Sequence, residues 1–153
     1  MPTVTIIPYE ARYQPAFKAL NTAWIEQYFT LEPHDIEQLD HPDVYILPNN
    51  GQIFLARLDD AIVGCVAVVN MGETGFELAK MTVLPAVRGL GVGRQLCLAA
   101  IDYVRQLGAP TLWLESNRRL APALALYRRV GFREVASVPT PYARADIRME
   151  ITF

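Results

Sequence analysis

Glycines at 89, 91 and 93, in the string Arg-Gly-Leu-Gly-Val-Gly-Arg that runs from Arg88 to Arg94, constrain this chain more than any other feature. Before them, Glu77 to Leu84 reads as an apolar, β-branched segment closed by Pro85. After them, Leu96, Ala100, Val104 and Leu107 recur with helical period. The expected unit is strand, glycine turn, helix. Glycine reaches positive φ and carries no Cβ, so successive backbone N–H groups can crowd together and point one way. They do so where a helix begins, and a helix leaves its first N–H groups without an internal acceptor. Such an N-terminus receives phosphate through its donors and its dipole, at about 0.3 to 1 kcal/mol for each nearby exposed charge. Arg88, Gly89, Leu90, Gly91, Val92, Gly93 and Arg94 therefore form a candidate anion cradle with a cation at each end.

Glycine turns serve several phosphate-binding folds. A nucleotide P-loop needs Gly-x-x-x-x-Gly-Lys-Ser/Thr, a string this sequence lacks. A dinucleotide fold wants Gly-x-Gly-x-x-Gly near the chain start with repeating βαβ units behind it. Here a whole half-domain precedes the turn. A turn that uses glycine only for tightness is the structural alternative.

Composition narrows the class. At 153 residues, 52% hydrophobic and 20% charged, the chain is expected to be one domain, 1–153, with a sizeable core. A net charge of −2 argues against a nucleic-acid surface. No apolar run approaches the ~20 residues that span a bilayer. The start, MPTVTIIPYEARY, lacks a basic region followed by an apolar core, so the expected location is cytoplasmic with no membrane partner. Cys65 and Cys97 lie in apolar segments and read as buried free thiols. Charge is unevenly spread: no Lys or Arg falls between Lys18 and Arg57, whereas ten arginines lie from Arg88 onward. Solvated helix faces explain that equally with a basic half that holds a polyanion and an acidic half that attracts a cation.

In chain order, Thr3 to Pro8 reads as a strand, and Pro15 opens a helix with Phe17, Leu20, Trp24 and Tyr28 on one face. Ile36 to Leu39 reads as a short helix stopped by Pro42. Trp24, Tyr28, Phe29 and Glu32 either wall a pocket or belong to the core. His34 and His41, seven residues apart with no accompanying ligand motif, do not make a metal site, and no metal is expected. Pro48 to Gly51 is a turn; Gln52 to Leu58 and Ile62 to Asn70 form a hairpin at Asp59-Asp60. After the central helix, Thr111 to Glu115 is a strand parallel to the one before the glycines. Leu120 to Val130 is a helix closed by Gly131, and Phe132 to Val138 with Ala145 to Ile151 forms a last hairpin around Pro139 and Pro141. Strands in succession followed by strand, loop, helix give an α+β chain with a mixed, mostly antiparallel sheet.

Two blocks carry a family resemblance. Arg88-x-x-Gly91-x-Gly93 is similar to the Arg-x-x-Gly-x-Gly pattern of the GNAT-superfamily N-acetyltransferases. Ala123-Leu-Ala-Leu-Tyr127-Arg-Arg-Val-Gly131-Phe132 resembles the same superfamily's Ala-x-x-Leu-Tyr-x-x-x-Gly-Phe element. The resemblance runs from about residue 3 to the end of the chain. It implies a central mixed sheet flanked by about four helices, with strands 4 and 5 parallel and splayed around acetyl-coenzyme A. Met81, Thr82 and Val83 would then pair with the pantetheine arm, Arg88 to Arg94 would hold the pyrophosphate, and Asn117 would meet the pantetheine amides. Leu120 stands where many members carry an Asn; either Asn117 substitutes for it or the cofactor contact there is lost.

The implied activity is direct transfer of an acetyl group to a primary amine of a small molecule or peptide within a ternary complex. The alternative is a non-catalytic acyl-coenzyme A sensor that keeps only the cradle. Departure of a thiolate needs a proton, and Tyr127, a phenol with an ordinary pKa of about 10, is the candidate donor. Glu77 is the candidate base, and a backbone N–H near Met81 or Thr82 the candidate oxyanion donor. Cys97 as a covalent carrier is disfavoured by its apolar helical setting. A homodimer is compatible with this reading, and the sequence leaves the acceptor itself open.

Overall fold

A computed structural model describes residues 3–153. Seven strands form one sheet in the order β1-β2-β3-β4-β5-β7-β6. The strands are β1 (Val4–Pro8), β2 (Gln52–Leu58), β3 (Ala61–Asn70), β4 (Phe76–Val83), β5 (Thr111–Ser116), β6 (Arg133–Val135) and β7 (Ile147–Thr152). Every neighbouring pair is antiparallel except β4 and β5, as expected of the mixed sheet. The helices are α1 (Gln14–Tyr28), α2 (Pro33–Asp40), α3 (Pro42–Tyr45), α4 (Val92–Gln106) and α5 (Ala121–Arg129).

Strand alternation sorts the core into two layers. Val66 and Val68 of β3, with Phe76 and Leu78 of β4, face α4 and α5 and pack on Leu96, Ala100, Val104 and Tyr127. Cys65, Ala67 and Val69 point the other way, onto Phe17 and Leu20 of α1 and Leu39 of α2. Glu77, between two residues of the first layer, therefore faces the α1–α2 side.

Several boundaries differ from expectation. Pro42 does not simply end α2; it opens a further turn, α3, because a proline's missing N–H is harmless at the first helical position. Leu107 leaves the buried stripe of α4: it caps the helix and is exposed, while Cys97 and Ile101 widen the stripe. The last hairpin is much shorter than the sequence suggests. Between β6 and β7, residues 136–146 form an irregular strap across the α1–α2 face, where Pro139 and Pro141 cannot supply the N–H groups of a ladder. No helix among the described residues is long and apolar enough to cross a membrane.

Candidate active site

β4 and β5 share only the rungs Phe76↔Leu112 and Glu77↔Trp113, then part. A bulge in β4 accompanies the parting. The register with β3 passes from Ala67↔Ala79 to Cys65↔Thr82, so Lys80 and Met81 together oppose Val66. Lys80 takes the extra residue's strain at φ 55, and a bulge of this kind bends its strand. The gap that results is a cleft of about 690 Å³, within the usual size of a small-molecule site. It passes through the sheet and is reached by Tyr127 from the α4–α5 layer and by Glu77 from the α1–α2 layer.

One end of the cleft is the glycine turn. Gly91 stands as the N-cap of α4 at φ 78 with no side-chain cap, and the first helical bond runs from Gln95 N–H to Gly91 O at 3.1 Å. No N–H from Gly89 to Arg94 donates to a backbone acceptor among the described residues. A Cβ at Gly89 (φ 86) or Gly91 would touch nothing within 4 Å, so glycine is needed there for conformation. At Gly93 the reason is space, because a Cβ would lie 3.1 Å from Leu126 Cδ2 of α5. Arg88 and Arg94 line the cleft and form no ion pair among the described residues. This set of oriented donors and free cations fits a diphosphate.

Met81, Thr82, Val83, Val92, Asn117 and Tyr127 also line the cleft, as does Glu77. Leu90 does not: its side chain is 62% exposed and turned away, so only its backbone remains to contribute. Asn117 is partly committed within the protein. Its Nδ2 donates to Arg144 O at 2.7 Å and its Oδ1 accepts from Arg119 N–H at 2.9 Å, which leaves one amide hydrogen for a ligand.

Glu77 is 5% exposed and has no hydrogen-bond partner among the described residues. Burial, reinforced by Glu115, pushes its carboxyl up to about 7 against the pull of Lys80 and Arg148. A carboxyl so placed exchanges a proton near neutral pH. Burial and the neighbouring Cys97 raise Tyr127 well above its ordinary value, so the phenol keeps its proton at neutral pH. Cys97 is fully buried and pushed up to about 12, inert as a nucleophile at neutral pH.

The sequence reading missed the charged chamber opposite Tyr127. Lys80 Nζ donates to Asp35 Oδ1 at 2.6 Å and to the Tyr142 hydroxyl at 3.1 Å. Arg144, from the strap, grips both oxygens of Asp35 at 2.7 and 2.8 Å and reaches Glu32 at 3.2 Å. Burial alone would raise Asp35, but Arg144 and Lys80 outweigh it and hold the carboxyl at about 2. Burial lowers Lys80 and Asp35 opposes that. Two signals for this chamber were in the sequence: a lysine inside the apolar string ELAKMTV, and Glu32-Pro33-His34-Asp35, whose end carboxylates close a capping box on α2. Their meeting was not legible, because Asp35 and Lys80 are 45 positions apart and Lys80 and Tyr142 are 62 apart. His34 packs edge-on against Tyr142 at 5.2 Å, while His41 caps α3.

Comparison with known proteins agrees with this geometry. The acetyltransferase of GNAT family from Staphylococcus aureus superposes with a TM-score of 0.88 over 98% of this chain and 99% of its own, at 20% identity. An N-acetyltransferase of Thermoplasma acidophilum, solved in complex with coenzyme A, gives 0.73 over 99% of both chains at 14% identity. At these identities the likeness is one of fold. In sequence, the IAA acetyltransferase of Azospirillum brasilense is 35% identical over 101 residues, which is 65% of this chain and 61% of that protein. The next three curated relatives are matched over 45%, 24% and 46% of their own length, so this chain spans less than two thirds of these four curated relatives. Residues 13–132, a stretch that holds the glycine cradle, the parted strands and Tyr127, match the Acetyltransferase (GNAT) family, and the chain belongs to that family.

Proposed function

We propose that this chain is an acetyl-coenzyme A-dependent N-acetyltransferase that acts on a primary amine by direct attack in a ternary complex. One observation carries the reading: the cradle from Gly89 to Arg94 opens, with its donors unspent, into a cleft that holds an unpartnered buried carboxyl. The N-acetyltransferase relatives and the neighbour bound to coenzyme A support it.

Acetyl-coenzyme A supplies an acetyl group on a good leaving group, a thiol with an ordinary pKa of about 8.5. The cradle and Arg88 and Arg94 bind its diphosphate, and the free edge of β4 at Met81 to Val83 receives the arm as an added strand would. Glu77 takes one proton from the acceptor's ammonium and passes it to solvent. The neutral nitrogen forms a C–N bond to the acetyl carbon as the C–S bond breaks. Tyr127 delivers a proton to the departing sulfur and is replenished by the second proton that the nitrogen sheds. A backbone N–H at the β4 bulge meets the developing negative charge on the acetyl oxygen. Holding both reactants in one cleft supplies much of the remaining acceleration.

The test is thiol release from acetyl-coenzyme A across a panel of primary amines, with a thermal shift as the binding readout. Turnover on at least one amine is expected. A clear thermal shift with no turnover on any amine would instead identify a non-catalytic sensor.

A further inference from the structure

The floor of the cleft on the α1–α2 side carries two carboxylates whose surroundings differ from those of every cation near them. Glu77 and Glu115 stand on neighbouring strands. The last shared rung is Glu77↔Trp113, so Glu115 lies two positions further along β5, on the same face, where the strands have parted. Both line the cleft. Among the described residues the Glu77 side chain has no hydrogen-bond partner, and that of Glu115 accepts a single hydrogen bond, from Thr140 Oγ1 of the strap to Oε1 at 2.9 Å. Lys80 is held by Asp35, and Arg144 by Asp35 and Glu32. Arg148, opposite Glu115 on β7, forms no ion pair among the described residues, but it lies 3.9 Å over the ring of Trp113 and does not line the cleft. What the floor offers a ligand is therefore hydrogen-bond acceptors with negative charge and no free cation on its cleft surface.

The wall of the same chamber is aromatic. Trp24 and Phe29 meet edge to face at 6.3 Å, and Tyr28 lines the cleft beside them. Arg119 lies 5.4 Å over the ring of Phe29 but is exposed to solvent and belongs to the wall, not to the floor.

We infer that the acceptor is an amine with an apolar body and no carboxylate on the carbon that bears the nitrogen, and that its ammonium is received between Glu77 and Glu115. This rests on the transfer reading above and adds the class of acceptor and a specificity residue, Glu115. An α-amino acid presents its carboxylate beside its ammonium and would bring that charge against Glu115 with no free cation on the cleft surface of the floor to neutralise it. Like charges forced together at a desolvated contact discriminate strongly between partners. An aralkyl or alkyl amine meets no such penalty and lays its body on Trp24 and Phe29.

Matched pairs test this: 2-phenylethylamine against phenylalanine, and pentylamine against norleucine, with thiol release as the readout. The amine of each pair should exceed its amino acid by about 100-fold in kcat/KM, the size of effect expected from a repelled charge. Glu115→Gln keeps an oxygen for Thr140. It should raise KM for 2-phenylethylamine about tenfold, leave KM for acetyl-coenzyme A unchanged and narrow the gap to phenylalanine. Amino acids used as well as their amines, or a Glu115→Gln variant with unaltered KM and discrimination, would overturn the inference. Calorimetric binding of the same pairs to the protein loaded with coenzyme A separates this from the transfer reading. Tenfold tighter binding of the amine without turnover would sink the transfer reading and keep the acceptor class, and equal binding would sink the acceptor class.

Discussion

Glu77→Gln should stabilise the protein while removing its activity, and the gain should depend on pH. The folded chain holds the Glu77 carboxyl at about 7 against an ordinary 4.5, chiefly through burial. Between those two values the native state binds more protons than the unfolded chain, so stability falls as pH rises through this window. The whole penalty is present above pH 7 and absent below about 4.5. Each pH unit is worth about 1.36 kcal/mol, so the span from 4.5 to about 7 amounts to about 3 kcal/mol, net of the attraction of Lys80 and Arg148. A neutral isostere never incurs it. For a domain of this size about 1 kcal/mol moves the melting temperature by about 2–4 °C, so Glu77→Gln should melt about 6–12 °C above wild type at pH 8. The two proteins should converge toward pH 5. Thermal unfolding by circular dichroism at pH 5, 6.5 and 8 measures the difference directly. A variant whose melting point differs from wild type by the same amount at all three values would refute the burial argument. In the wild type, kcat/KM should rise with pH and level off above about 7, as the base loses its proton.

Other perturbations probe other parts of the site. Gly91→Asp places a carboxylate at the cradle and a side chain at φ 78, and calorimetry should find acetyl-coenzyme A binding weakened at least about tenfold. Tyr127→Phe removes a hydroxyl with no hydrogen-bond partner among the described residues, so melting should be unchanged while kcat falls by about 100-fold or more, as for loss of a positioned proton donor. An unchanged rate would remove Tyr127 from the mechanism. Lys80→Met removes one charged hydrogen bond but leaves Asp35 held by Arg144, and urea unfolding should show a loss of about 1.5–3 kcal/mol.

The order of elements was readable because it rests on local chemistry, whereas the parting of β4 from β5 was expected only from the family resemblance and is seen here beside a bulge against β3. Glycines at positive φ mark the turn, alternation marks the strands, and a period near 3.6 marks α4. The glycine end of the cleft was readable for the same reason, since Arg88 to Arg94 is one continuous string. The opposite, charged end was not. It is assembled from α1, α2, β4, β5 and the strap, and its contacts join Asp35 to Lys80 and Tyr142 to Gln38 across 45 and 104 positions. The two ends of the strap, 136–138 and 145–146, were read as strand because the sequence there alternates well enough, while the prolines between them and the side-chain anchors to α2 decide otherwise. Leu107 was misplaced because periodicity continues past the point where Gly108, at φ 77, ends the helix.

The central claim is that backbone donors at the start of α4 grip the diphosphate of acetyl-coenzyme A. Amide-resolved NMR titration of labelled protein with acetyl-coenzyme A reads those donors one by one. The account predicts that the largest shifts fall on the N–H groups from Gly89 to Arg94. Saturable binding that leaves those amides unmoved, with shifts clustered elsewhere, would contradict it.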